Sequence, residues 1–271
     1  MSIPGQTAGF SAFTNPLIES LGISRSNLAF SYFLGTLSSG CILPKAGKLL
    51  DKYGTRPTIV AVALCLGAVL LIFSYVENIL TFLSHSFGFL NYEVITVILL
   101  ALLILGLRFF AQGMLPMISN SMIGRWFDKK RGKVVAIMGM INSLAFNASP
   151  LLMSFLVSAY GWQLSWRYMA ILAAVIFLIF AWIFFRDNPE SCGLLVDGIK
   201  KEGPMDNIEG KMTGVTIEHA KKSINFKAIT FALSLYAMTL TGITFHLEAI
   251  GLEASLNKET AMGIFVPVTF I

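Results

Sequence analysis

Apolar runs long enough to cross a bilayer alternate with short polar connections along most of this chain. A spanning helix needs about 20 mostly apolar residues. Asn27–Leu49, Pro57–Val76, Val94–Ile123, Val134–Ser158, Trp166–Phe185 and Phe226–Leu247 each meet that requirement. Two partial segments lie at the ends: residues 3–18, short for a full span, and 260–271, an apolar run that the last residue cuts off. Counting 3–18 as the first span makes Phe226–Leu247 the seventh. Residues 77–93 are apolar but interrupted by Asn78, His85, Gly88 and Asn91, which predicts an interfacial loop. Residues 186–225 hold 13 charged residues in 40 and read as a solvated linker. They divide the chain into an N-terminal membrane half (1–185), a central loop (186–225) and the start of a second half (226–271).

Composition supports this division. The chain has 271 residues, 55% of them hydrophobic, 12% aromatic and 13% charged, with a mean hydropathy of +0.73. Soluble domains carry roughly 25% charged residues, so a soluble enzyme, a disordered chain and a nucleic-acid module are excluded as readings. The net charge of +5 reflects where the basic residues sit. Of 20 Lys and Arg, 16 fall in or beside residues 44–57, 124–133 and 186–225, after the even-numbered spans. Basic residues mark the cytoplasmic side, so these loops are expected in the cytoplasm and the protein in the cell membrane as a multi-pass chain. Cys41, Cys65 and Cys192 are widely spaced and support neither a metal site nor a disulfide framework. No basic region precedes the first apolar stretch, so no signal peptide is expected.

The loops carry specific patterns. Gly47-Lys48-Leu49-Leu50-Asp51-Lys52-Tyr53-Gly54-Thr55-Arg56 resembles the loop G-x-L-x-D-[RK]-x-G-x-[RK] that joins helices two and three in the major facilitator superfamily. Gly47 is expected to let helices approach, Asp51 to cap a helix N-terminus, Gly54 to turn the chain and Arg56 to complete the motif. Arg108 through Gly113 resembles the superfamily's helix-four R-x-x-x-x-G pattern, and Trp126-Phe127-Asp128-Lys129-Lys130-Arg131-Gly132 its loop before helix five. Arg186, Pro189-Glu190, Gly193-Leu194 and Asp197-Gly198 resemble the start of the central loop in the monocarboxylate and oxalate/formate branch. Pro4-Gly5-Gln6-Thr7 and Phe245-His246 are similar to that branch as well. The first span has no Lys, unlike eukaryotic monocarboxylate carriers, so lactate-type chemistry is not carried over. The fifth span keeps only Pro150 of the glycine-rich end found in drug/proton antiporters. The resemblance implies an all-α polytopic fold: the N-terminal six-helix half, helix seven and the start of helix eight. Members have twelve helices with the substrate between two halves, so the chain reads as truncated at both ends.

Polar groups inside spans are costly and therefore informative. Arg108, Gln112, Pro116 and Asn120 are spaced by four and predict one stripe on the fourth span. Pro116 lacks an N–H, which predicts a kink near Gly113. A cationic stripe suits an anionic substrate or a proton network; a structural Arg bonded to neighbouring carbonyls fits equally. In the fifth span, Gly139, Ser143 and Asn147 share a spacing, with Asn142 adjacent; Asn142 and Asn147 are site candidates because an amide in lipid needs partners. Ser31, Gly35 and Ser39, and Tyr32, Thr36 and Gly40, read as packing seams in the second span. In the first span Gln6 is a candidate, while Thr7, Ser11 and Thr14 read as packing. Tyr236 and His246 are candidates on the seventh span, with His246 able to titrate near neutrality. The cores of spans two to six hold no Asp or Glu, which leaves Glu19 or Glu248 for any carboxylate proton site in this chain.

No HExxH, GxSxG or GxGxxG pattern sits where it could support chemistry, so neither enzyme activity nor a cofactor or metal is expected. The expected function is secondary transport of a small solute, a small organic anion such as a monocarboxylate, by alternating access. Protons or a counter-anion would be coupled partners, and the protein is expected to act as a monomer in the bilayer with no nucleic-acid partner. A drug or sugar carrier of the same superfamily and a non-transporting sensor or scaffold are the alternatives.

Overall fold

The structure, a computed structural model, describes residues 3–86, 91–198 and 222–263. Regular elements among them are helical. A 3-10 turn at Ile3–Gly5 and two short helices, Thr7–Ser11 and Thr14–Leu21, form the first span. The second is Arg25–Tyr53, whose start is fixed by Ser24: its hydroxyl accepts from the Asn27 N–H. The third is Thr55–Ser74, the fourth Tyr92–Trp126, the fifth Arg131–Tyr160, the sixth Trp162–Phe184 and the seventh Ile224–Phe245. The fourth holds 35 residues, about 52 Å of helix against a hydrocarbon core of roughly 30 Å. Short helices Leu247–Glu253 and Lys258–Gly263 follow the seventh span, while residues 264–271, where an eighth span is expected to begin, lie outside the described residues.

One expectation is corrected directly. The described part of 77–93 is mostly helix: Val76–Ser86 continues the third span past a break at Tyr75, and Tyr92 begins the fourth. Asn78 and His85 do not interrupt it, because Val76 and Leu80 are buried against the bundle while the polar face stays exposed. Gly88 lies outside the described residues.

In lipid, helices gain little by hiding apolar surface from one another, so close packing decides which spans pair. The second and fourth spans meet at Gly35, where a Cβ would stand 2.7 Å from the Ala101 carbonyl oxygen and 2.8 Å from the Leu105 nitrogen. Ser31 and Ser39, on the same face, are buried with it, so this seam is the packing face its spacing predicts. The third and sixth spans meet at Gly67, where a Cβ would stand 2.5 Å from that of Ala174. Trp166 of the sixth span is fully buried and joins three spans through ring contacts: 4.3 Å to Phe13, 4.9 Å and stacked on Phe73, and 6.4 Å to Phe10. The fifth-span stripe behaves differently. Gly139 and Ser143 are exposed and nothing approaches Gly139 within 4 Å, so small residues there make no seam among the described residues.

The span ends that carry the basic loops are held by Asp187 and Asp197, so the first residues of 186–225 depart from the solvated linker that their composition predicts. Asp187 lies just past the sixth span and its Oδ1 accepts from the backbone N–H of Thr55, at 2.5 Å, and of Arg56, at 3.0 Å. Asp197, in a left-handed conformation with φ +66° that Asp tolerates better than most residues, accepts from the N–H groups of Asp128, Lys129 and Lys130 at 2.9–3.2 Å. Those three amides precede the fifth span and have no helical partner of their own. Desolvation pushes the Asp197 carboxyl up, but the N–H donors of Asp128, Lys130 and Lys129 and the Lys130 charge outweigh it and hold the group below its ordinary value of 3.8. The charged form is favoured in the folded protein, so its contribution is complete above about pH 5 and fades as pH falls below 3.8. We expect amide hydrogen exchange at 128–130, corrected for intrinsic rate, to be at least tenfold faster in Asp197→Ala near pH 6. Wild type and variant should converge at acid pH; unchanged protection in the variant would refute the cap.

Candidate functional site: a half-buried cation between three spans

The fourth span is not a uniform α-helix. Residues Arg108–Met114 form a π-helical turn, with the Leu115 N–H bonding the Phe110 carbonyl five residues back, and Pro116 opens the α-helical segment that follows. Near Gly113, where a kink is predicted, the structure shows this wider turn: Pro116 cannot donate to the Gln112 carbonyl, and the turn absorbs the lost bond. The wider turn carries an extra residue, which rotates all later positions by roughly 100° about the axis. The predicted stripe is therefore split. Arg108 and Gln112 stay together, and Asn120 faces elsewhere.

Arg108 sits where the first, second and fourth spans converge. Its Nη1 donates to the Gly5 carbonyl at 3.1 Å, to the Thr7 hydroxyl at 3.4 Å and to the Gln112 side-chain oxygen. Its guanidinium lies 5.3 Å from the centre of the Tyr32 ring. Gly5 must be glycine for this approach, since a Cβ would stand 2.5 Å from that of Ala111 and 2.8 Å from the Leu107 carbonyl oxygen. The Thr7 and Tyr32 hydroxyls share a 2.8 Å hydrogen bond. Among the described residues, no carboxylate stands within 4.0 Å of Arg108, and the ion pair found there joins Arg125 to Asp51 instead. The partners of Arg108 are thus neutral acceptors and a ring face, which orient the guanidinium without cancelling its charge. Gln112 is exposed and Arg108 half-buried, so the charge remains accessible.

A second polar place lies toward the span ends that carry the basic loops. Asn120 and Asn142 line one cavity of about 290 Å³ together with Pro116, Ser119 and the apolar Ile59, Leu115, Met138, Phe177 and Phe185. Asn120 is twelve residues beyond Arg108, about 18 Å along the helix, so these amides form a separate station.

The remaining candidates are dispersed. Gln6 is half-buried immediately before the helix that carries Thr7, and Asn147 is half-buried in the fifth span. Tyr236 is 65% exposed on the seventh span and joins neither station. His246 ends the seventh span, half-buried with its ring 5.2 Å from Phe245. Glu248 is buried two residues on, whereas Glu19 is exposed. In the loop motif, Gly54 has φ +83° and makes the expected turn. Gly47 is not a close approach, because a Cβ there would meet only the Met117 sulfur at 3.7 Å. Nor does Asp51 cap a helix: it is exposed and pairs with Arg125 at 3.9 Å, while Asp187 takes the capping position at Thr55. Arg56 bonds the Trp182 carbonyl at 3.0 Å and lies 4.3 Å over the Trp182 ring. Sequence reasoning missed Tyr32 as a site residue. It read the position as a packing seam, and the only signal to the contrary was a phenol among small residues.

The fold defines a polytopic all-α membrane protein. Residues 3–271 match the sequence model of the Major Facilitator Superfamily, and the chain belongs to that superfamily. Two curated relatives are the multidrug resistance protein B homologs of Mycobacterium tuberculosis strains CDC 1551 / Oshkosh and ATCC 25618 / H37Rv. Each is 27% identical over 175 residues, which is 64% of this chain and 28% of the relative. The match thus spans a little over a quarter of the length of those proteins. No solved structure gives a significant match.

Proposed function

We propose that this protein is a secondary transporter of a small organic anion that works by alternating access. The observation that carries the reading is Arg108: a guanidinium deep in a span, oriented by neutral groups and lacking a carboxylate partner among the described residues. Placing such a charge in a membrane costs about 2.5–3.5 kcal/mol on insertion scales, and a bound anion would neutralise it. Residues 1–185 act as the N-terminal half, 186–225 as the cytoplasmic central loop, and 226–271 begin the second half. The test is uptake of labelled lactate, formate and oxalate by cells or liposomes carrying the full-length protein, each with and without a proton gradient. Saturable uptake of at least one, several-fold above the background of empty membranes, is expected; background-level uptake of all three would refute the anion reading.

A second reading has its own support. The cavity holding Asn120 and Asn142 is mostly apolar, and the relatives named above are multidrug resistance homologs. An amphipathic drug would fit such a cavity. Energy-dependent efflux of a lipophilic cationic dye, unaffected by substitution of Arg108, would favour drug export over anion transport.

The inner face follows from the basic loops. Single cysteines at Lys129 should be modified by an impermeant maleimide only after the cells are opened; modification in intact cells would invert the topology.

A further inference from the structure

The seventh span touches the rest of the molecule unevenly. Ile224, Phe231 and Met238 are 79%, 67% and 75% exposed, whereas Thr244 and Phe245 at its far end are 0% and 6% exposed. That end packs on Thr7–Ser11 of the first span, and the Phe245 ring lies 4.9 Å from Tyr32. Phe10 closes the cluster at 5.4 Å from Tyr32. By the charge distribution of the loops, this is the outward side. The aromatic cluster therefore covers Arg108 from outside while the span diverges toward the cytoplasm.

Tyr32 is the residue common to both arrangements. Its ring packs against Phe245. Its hydroxyl bonds Thr7, which also accepts from Arg108, and its face lies beneath the guanidinium. Removing Phe245 would free one side of the ring and loosen the hydroxyl that helps hold Arg108. We propose that Tyr32 is a positioning residue that ties the outer closure, made with Phe245, to the orientation of the Arg108 guanidinium. It would thereby link anion binding to which side is open. The inference deepens the anion reading and rests on it for its purpose, though not for its geometry.

The test separates ring from hydroxyl and needs no identified substrate. In the full-length protein with Cys41, Cys65 and Cys192 replaced by Ser, a Gln112→Cys reporter is exposed to an impermeant maleimide in intact cells. It should resist labelling when both rings are present, label at least tenfold faster with Phe245→Ala or Tyr32→Ala, and stay resistant with Tyr32→Phe. In purified protein without the reporter, phenylglyoxal modification is followed by mass spectrometry. Tyr32→Phe should speed modification of Arg108 at least threefold and leave that of Arg167 unchanged. Arg167 serves as the control because it lies 4.5 Å over Tyr75, apart from this cluster. Equal labelling of the reporter with and without the rings, or ready labelling when both are present, would overturn the closure. An unchanged Arg108 rate in Tyr32→Phe, or equal acceleration of Arg167, would overturn the positioning role. Neither result bears on whether the wild-type protein carries lactate, formate or oxalate, so the inference and the proposed function can fail separately.

Discussion

Replacing Arg108 by Gln should reduce uptake of the transported anion at least a hundredfold while the protein still reaches the membrane at near-normal levels. Gln keeps a donor near Gly5 and Thr7 and removes the charge, and removing a charge from mid-membrane lowers the cost of insertion. The loss then reports on charge neutralisation of substrate rather than on folding. Arg108→Lys keeps the charge but cannot reproduce a planar group that reaches Gly5, Thr7 and Gln112 together while lying on a ring. Uptake should fall about tenfold, chiefly through a raised KM. Surface expression and uptake are measured on the same cells. Full uptake by well-expressed Arg108→Gln would end the anion reading, and disappearance of both variants from the membrane would show that the guanidinium is a structural strut bonded to carbonyls.

The opposite pattern is expected at Gly35. A side chain there would collide with backbone atoms of the fourth span, 2.7 Å and 2.8 Å from where its Cβ would stand, and backbone cannot turn aside as a flexible side chain can. Overpacking of this kind costs about 1–3 kcal/mol even for small additions. Gly35→Ala should lower the thermal stability of the purified protein by several degrees, and Gly35→Leu should leave almost none in the membrane. Gly40→Leu, further along the same span where nothing lies within 4 Å, is the control and should express normally. Equal expression of the two Leu variants would show that the second and fourth spans do not meet at Gly35.

The spans were legible because the demand a bilayer makes is simple: about 20 apolar residues with their backbone bonded internally. All six long segments appear as helices within a few residues of their expected ends, and Ser24 and Asn91, which accept from Asn27 and Glu93, mark two of the starts. The helix at Val76–Ser86 was missed because its polar residues lie on one face, and a count of interruptions cannot see a face. Arg108 and Gln112 were legible as a pair because intramembrane polarity is rare and they are one turn apart. Asn120 was misplaced because a spacing of four presumes a constant 3.6 residues per turn, and the π-helical turn at Arg108–Met114 breaks that presumption. Asp187 was missed as a cap because its partners lie 131 and 132 residues away, whereas Asp51 is close in sequence to the helix it was expected to cap. Tyr32 was hidden for the same reason: its partners come from three other spans.

The two loop aspartates also set an order on biosynthesis. Chains emerge from the ribosome at about 5–20 residues per second. Asp197 follows Lys130 by 67 residues, a delay of roughly 3–13 s at that pace. Asp187 follows Thr55 by 132 residues, or roughly 7–26 s. Throughout those intervals the amides at the starts of the third and fifth spans are without their carboxylates. The nascent bundle therefore passes through a stage in which its spans are made but this rim is unfastened, and the rim closes from the sixth span backwards, last-made residues securing first-made ones.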